Sequence, residues 1–96
     1  MSRALLRLES RVARALAEII HEMQDPRIPM VVTIERVRLT ADLSRARVLI
    51  SALERPEETA EVLNRAHGYL QEELAHEVPM RRVPRISFHT DPSEVL

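Results

Sequence analysis

The side chains in this sequence best suited to chemistry are guanidinium groups. All 14 basic residues are arginine, whose planar fork of donors pairs bidentately with phosphate oxygens. Arg3, Arg7, Arg11 and Arg14 recur at three- and four-residue spacing, which on a helix gathers them within about 80° of one another. Such a line can follow a phosphate backbone, or it can be the solvated face of a helix. Arg36, Arg38, Arg45, Arg47 and Arg85 alternate with apolar residues, so several should share the uncovered face of a sheet. The plainer account of that set is charge for solubility and against edge pairing. Arg65 and His67 flank the only glycine, Gly68, and Arg81 and Arg82 follow in a loop, a third basic cluster.

Other chemistries find little here. With no cysteine, neither a disulfide framework nor a thiolate metal site can form. His21-Glu22 followed by Asp25 falls short of the His-Glu-x-x-His zinc pattern, because the second ligand stands at the wrong position and a proline loop intervenes. His67, His76 and His89 share no ligand face, and no nucleophile, phosphate loop or carboxylate pair stands out. No cofactor, metal or catalytic residue is expected. Aromatics are only Tyr69 and Phe88, and Phe88 is expected to point inward, so extensive base stacking is not expected and binding should rest on phosphate charge and RNA shape.

The net charge of −1 conceals an asymmetry. Residues 1–50 hold nine arginines against six carboxylates, and residues 51–96 hold five against nine, so one basic surface can coexist with an acidic remainder. The acidic set Glu54, Glu57, Glu58 and Glu61 supports a rival reading, a protein-interaction adaptor that binds a basic protein.

The elements that must position these residues follow from periodicity. A chain of 96 residues buries roughly 60 to 65% of its unfolded surface and suits one core. Leu5, Leu8, Val12, Leu16, Ile19, Ile20 and Met23 mark a helix from Ser2 to Met23, ended by Asp25-Pro26-Arg27-Ile28-Pro29. Val31 to Thr40 and Arg45 to Leu53 read as an antiparallel hairpin around Ala41-Asp42-Leu43-Ser44, and a change of parity predicts a bulge near Glu35 and Arg36. Pro56 opens a second helix with Leu63, Ala66, Leu70 and Leu74 inward, interrupted near Gly68, where a kink or close contact is expected because glycine costs about 1 kcal/mol in a helix. Arg85 to Thr90 alternates as a third strand, whose hairpin neighbour the pattern does not reveal. Helices should cover one face of a three-stranded sheet. No stretch resembles a membrane span or secretory signal, and a cytoplasmic monomer is expected.

Several motifs resemble one family. Asp25-Pro26-Arg27-Ile28, then Val32-Thr33-Ile34 with Val37, then Asp42-Leu43 with Ala46 and Val48, resemble the helix exit and hairpin of the ribosome-binding factor A family. Ala66-His67-Gly68 resembles its Ala-x-Gly interhelical kink, and Arg81-Arg82-Val83-Pro84-Arg85-Ile86-Ser87-Phe88 with Asp91 and Ser93 resembles its closing strand. Each motif is weak alone; their order and spacing, from about Arg11 to Ser93, are specific. The resemblance implies an α+β, KH-like fold of the second type, α-β-β-α-kink-α-β, with residues 1–96 as a single ribosome-binding domain. The kink replaces the usual Gly-x-x-Gly loop, so the backbone clamp of a standard KH domain is not expected. The implied function is a non-enzymatic assembly factor that binds the small ribosomal subunit and its rRNA and supports processing of RNA ends, notably in the cold. The RNA-binding residues expected on this reading are Arg65, His67, Gly68, Arg81, Arg82, Arg85, Arg45, Arg47 and the stripe Arg3, Arg7, Arg11 and Arg14, and the KH-like architecture makes the cluster of Arg65, His67, Arg81 and Arg82 the first choice for backbone contact.

Overall fold

The computed structural model describes residues 2–96. Helix α1 (Arg3–Met23) begins where the Ser2 hydroxyl accepts the Leu5 N–H at 3.0 Å, satisfying one orphan donor of the first turn. It ends in the left-handed residue Gln24, φ 51°. The Asp25 carboxylate then accepts the Arg27 N–H at 2.9 Å and its guanidinium at 2.7 and 3.0 Å, which fixes the proline turn. The Arg27 side chain, and then its N–H, hold the Asp25 carboxyl down at about 2.

Strands β1 (Thr33–Leu39) and β2 (Arg45–Ser51) pair antiparallel from Thr33–Ser51 to Leu39–Ala46, with the register shift between Ile34 and Arg36 that the parity change predicts. Pairing is shorter than the sequence pattern implied, because Val31, Val32, Ala52 and Leu53 find no partner across the ladder. In the turn, the Asp42 carboxylate accepts the Ser44 N–H at 3.0 Å and the hydroxyls of Ser44 and Thr40 at 2.8 Å each. Those bonds, led by the Ser44 N–H, lower its pKa to about 2.

Helix α2 (Pro56–Arg65) and helix α3 (His67–Glu77) are separated by Ala66 at φ −91°, ψ 11°. Its N–H reaches the carbonyls of Val62 and Leu63 at 3.1 Å each, a shared bond of the kind that ends helices. The kink is therefore present, centred on Ala66. Gly68 has no positive φ, and a Cβ built on it would meet nothing within 4 Å, so of the two alternatives expected there, a kink or a close contact, the structure shows the kink. Strand β3 (Arg85–His89) lies parallel to β2, giving the sheet order β1-β2-β3.

One apolar core lies between the sheet and the three α-helices. Val12, Leu16, Val48, Leu63, Leu70 and Leu74 are completely buried, each stabilising the fold by about 1.5–3 kcal/mol relative to exposure. Among the described residues no helix is long and apolar enough to cross a membrane. The 3₁₀ turn Pro92–Val95, which the pattern did not anticipate, touches all three strands. Its Glu94 carboxylate stands 3.6 Å from His89 Nδ1, on the opposite side of β3 from the buried Phe88, and the buried Val95 lies outside the main cluster. This turn thus crosses one end of the face that the α-helices leave open.

Candidate nucleic-acid interface

Strand register builds the strongest basic surface. Arg45, Arg47 and Leu49 on β2 alternate with the buried Ala46, Val48 and Ile50, so they face away from the helices. Arg38 stands opposite Arg47, Arg36 opposite Leu49, and Arg85 opposite Arg45. Five arginines from three strands therefore share the open face, with neighbours about 4.8 Å apart across strands and about 6.7 Å apart along them. Among the described residues, Arg36, Arg45, Arg47 and Arg85 form no ion pair. The His89–Glu94 contact lies at the far end of this face.

The loop before β3 extends the surface. The Arg85 N–H donates to the Ser44 carbonyl at 2.9 Å, tying the start of β3 to the hairpin turn. Arg82 Nη1 lies 3.5 Å from the Asp42 carbonyl, the long end of a hydrogen bond, so it hangs over the same turn. Arg81 is exposed and makes no ion pair among the described residues.

The kink cluster is engaged with its own fold. Arg65 pairs with Glu61 at 3.7 Å, an exposed pair of modest strength. Gln71 Oε1 accepts the Ile86 N–H at 3.0 Å, and His67 Nδ1, 2.9 Å from that oxygen, must be a donor to it. Asn64 completes the arrangement: its Nδ2 donates to the Phe88 carbonyl at 3.0 Å and its Oδ1 accepts the Phe88 N–H at 2.7 Å. The outer edge of β3 is thereby paired by side chains, as another strand would pair it. Glu9 does the same for β1, its carboxylate, only 7% exposed, accepting the Leu39 N–H at 2.8 Å. Sequence reasoning missed Asn64, Gln71 and Glu9, since polar residues on otherwise amphipathic helices give no signal until the strand edges they cover are known.

The stripe Arg3, Arg7, Arg11 and Arg14 is exposed but turns away from the sheet, because the opposite side of α1 carries the buried Val12, Leu16, Ile19 and Ile20. Arg11 and Arg14 line a groove with Glu18 and Glu77, which weakens the positive field there. The arginines expected to bind thus fall into three places: the open sheet face with the adjoining loop, the kink, and the outer side of α1. The kink adjoins the first of these, because the Gln71 Oε1 that His67 bonds also accepts the N–H of Ile86, the chain neighbour of Arg85.

A family model described as ribosome-binding factor A matches residues 4–95. The chain belongs to the ribosome-binding factor A family. The ribosome-binding factor A of Acinetobacter baylyi is 37% identical over 101 residues, covering 94% of this chain and 76% of that protein. A crystal structure of ribosome-binding factor A from Thermus thermophilus is similar with a TM-score of 0.84 and 40% identity, over 90% of this chain and 94% of that one. A homology model of the Thermus thermophilus factor, as fitted into a cryo-EM map of its 30S complex, is similar with a TM-score of 0.76 and 40% identity, over 90% and 93%. The element order, the three-stranded mixed sheet and the Ala66 break make the fold of this ribosome-binding factor A family member α+β and KH-like, with α-helices on one face.

Proposed function

We propose that this chain is an assembly factor of the small ribosomal subunit, docking on ribosomal RNA through the open sheet face and the loop of Arg81 and Arg82. The observation that carries the reading is the arginine grid: Arg36, Arg38, Arg45, Arg47 and Arg85 brought onto one surface by strand register. Guanidinium groups fixed on rigid strands lose little freedom when they pair with phosphates. Family membership supplies the partner, since the related Thermus thermophilus factor is described in a 30S complex.

On this reading the factor works by binding one conformation of the maturing subunit preferentially, without turnover, in the cytoplasm where subunits assemble. Support for processing of RNA ends, notably in the cold, is the consequence the family resemblance implies. The kink residues Arg65, His67 and Gly68 and the α1 stripe are secondary contacts in this proposal. The test is co-sedimentation of the purified chain with immature and mature small subunits. Association that is lost when Arg45, Arg47 and Arg85 are replaced by glutamine supports the reading, and absence from both fractions defeats it. Association that survives ribonuclease treatment would instead favour the acidic set Glu54, Glu57, Glu58 and Glu61 meeting a basic protein.

A further inference from the structure

We infer that the RNA taken by the open sheet face is an A-form double helix gripped through its phosphates, rather than a single strand read by its bases. This rests on the proposed RNA-binding function and names the form of RNA that the same surface accepts.

Three features that a single strand would need are missing or occupied. Stacking requires exposed aromatic rings, yet Phe88 is only 2% exposed and Tyr69 lies on α3, away from the sheet face. Clamping a single backbone at the helix break requires the close approach that glycine gives a Gly-x-x-Gly loop, whereas the residue at this break is Ala66, its own N–H shared between the Val62 and Leu63 carbonyls. Base edges laid along the outer edge of β3 need strand donors and acceptors. Asn64 already holds both backbone groups of Phe88, and Gln71 holds the Ile86 N–H. Grooves exist elsewhere, one of about 750 Å³ beside Ala17, Ile20 and Met30 and one of about 620 Å³ beside Arg27, Ala66 and Tyr69. Neither is lined by an arginine of the sheet face.

What the face does offer suits a duplex. The guanidinium groups form a two-dimensional array, roughly 10 Å across three strands and roughly 13 Å along the strand direction from the Arg45–Arg85 row to Arg36. A single backbone is a line and would engage one row. A double helix presents two phosphate rows flanking a wide, shallow minor groove, and proteins recognise it there by shape and by phosphate and 2′-hydroxyl contacts. Ser87 sits in the cross-strand row of Arg38 and Arg47; its hydroxyl, bonded to His89 Nε2 at 2.8 Å, keeps a lone pair that can accept from a ribose 2′-hydroxyl. The molecule is a slab with extents of 35 × 29 × 18 Å, and this array occupies one of its broad sides, open to an approaching cylinder.

The experiment is fluorescence anisotropy of the full chain with a 20-base-pair RNA duplex and with an unstructured polyuridine strand of equal length, at several salt concentrations. The expected result is at least tenfold tighter binding of the duplex, with that preference abolished in Arg45→Gln/Arg47→Gln/Arg85→Gln and retained in Arg55→Gln, an exposed arginine outside every basic cluster described above. Equal or tighter binding of the single strand overturns the inference. So does binding of neither RNA by a chain that still co-sediments with small subunits, an outcome that leaves the proposed function standing. Loss of co-sedimentation itself would remove both.

Discussion

Replacing Arg45, Arg47 and Arg85 by glutamine should flatten the salt dependence of RNA binding without disturbing the fold. The three side chains are exposed and make no ion pair among the described residues, so their charges serve no internal partner. Each phosphate contact releases condensed counterions and contributes roughly 0.7 to 0.9 to the slope of log affinity against log salt, so losing three contacts should reduce that slope by about 2 to 3. Between 50 and 200 mM salt, a fourfold change, the wild type should then lose roughly 20 to 60 times more affinity than the variant does. Anisotropy titrations at four or five salt concentrations read the slope, and a thermal melt beside them confirms that the variant folds. An unchanged slope in a folded variant would refute the assignment of this face. The matching replacement of Arg3, Arg7 and Arg11 should change the slope by less than about 1.

Three further outcomes are expected. Asn64→Ala removes two hydrogen bonds, at 3.0 and 2.7 Å, to the backbone of the buried Phe88; the loss should be about 2 to 4 kcal/mol in urea unfolding, and one below about 0.5 kcal/mol would show that water seals the edge equally well. Gly68→Ala should stabilise the chain by about 0.5 to 1 kcal/mol, since φ is not positive and the added methyl meets nothing, and it should leave the RNA salt slope unaltered. Asp42 has a folded pKa of about 2, below the ordinary value of about 3.9, so its stabilising contribution is fully present above about pH 4 and is lost as the pH falls toward 2. The gap in urea midpoint between wild type and Asp42→Asn should therefore close over that window, and a gap independent of pH would contradict the turn chemistry.

Much of the fold was legible because periodicity reports which side of an element is buried. The stripe from Leu5 to Met23 announced α1, the parity change after Ile34 announced the bulge, and the position of Pro56 announced the start of α2. The placement of β3 beside β2 was not legible, since alternation says which residues face inward but not which strand lies alongside. The 3₁₀ turn escaped because four residues are too few to show a period, although Asp91 followed by Ser93 carries the cap, the Asp91 carboxylate accepting the Ser93 N–H at 3.0 Å. Alternation also foretold the arginine face, but not how far it lies from the kink and from α1. Those distances are set by packing, and the engagement of His67 with Gln71 becomes visible only once β3 is known to run beneath α3.

The most direct test of the RNA-binding surface is site-specific photo-crosslinking on small ribosomal subunits, with the crosslinker installed in turn at positions 47, 85, 68 and 7 of the full chain. The arrangement described here predicts strong RNA adducts from positions 47 and 85, weak ones from 68, and fewest from 7. Adducts concentrated at 68 or 7, with none from the sheet positions, would contradict it.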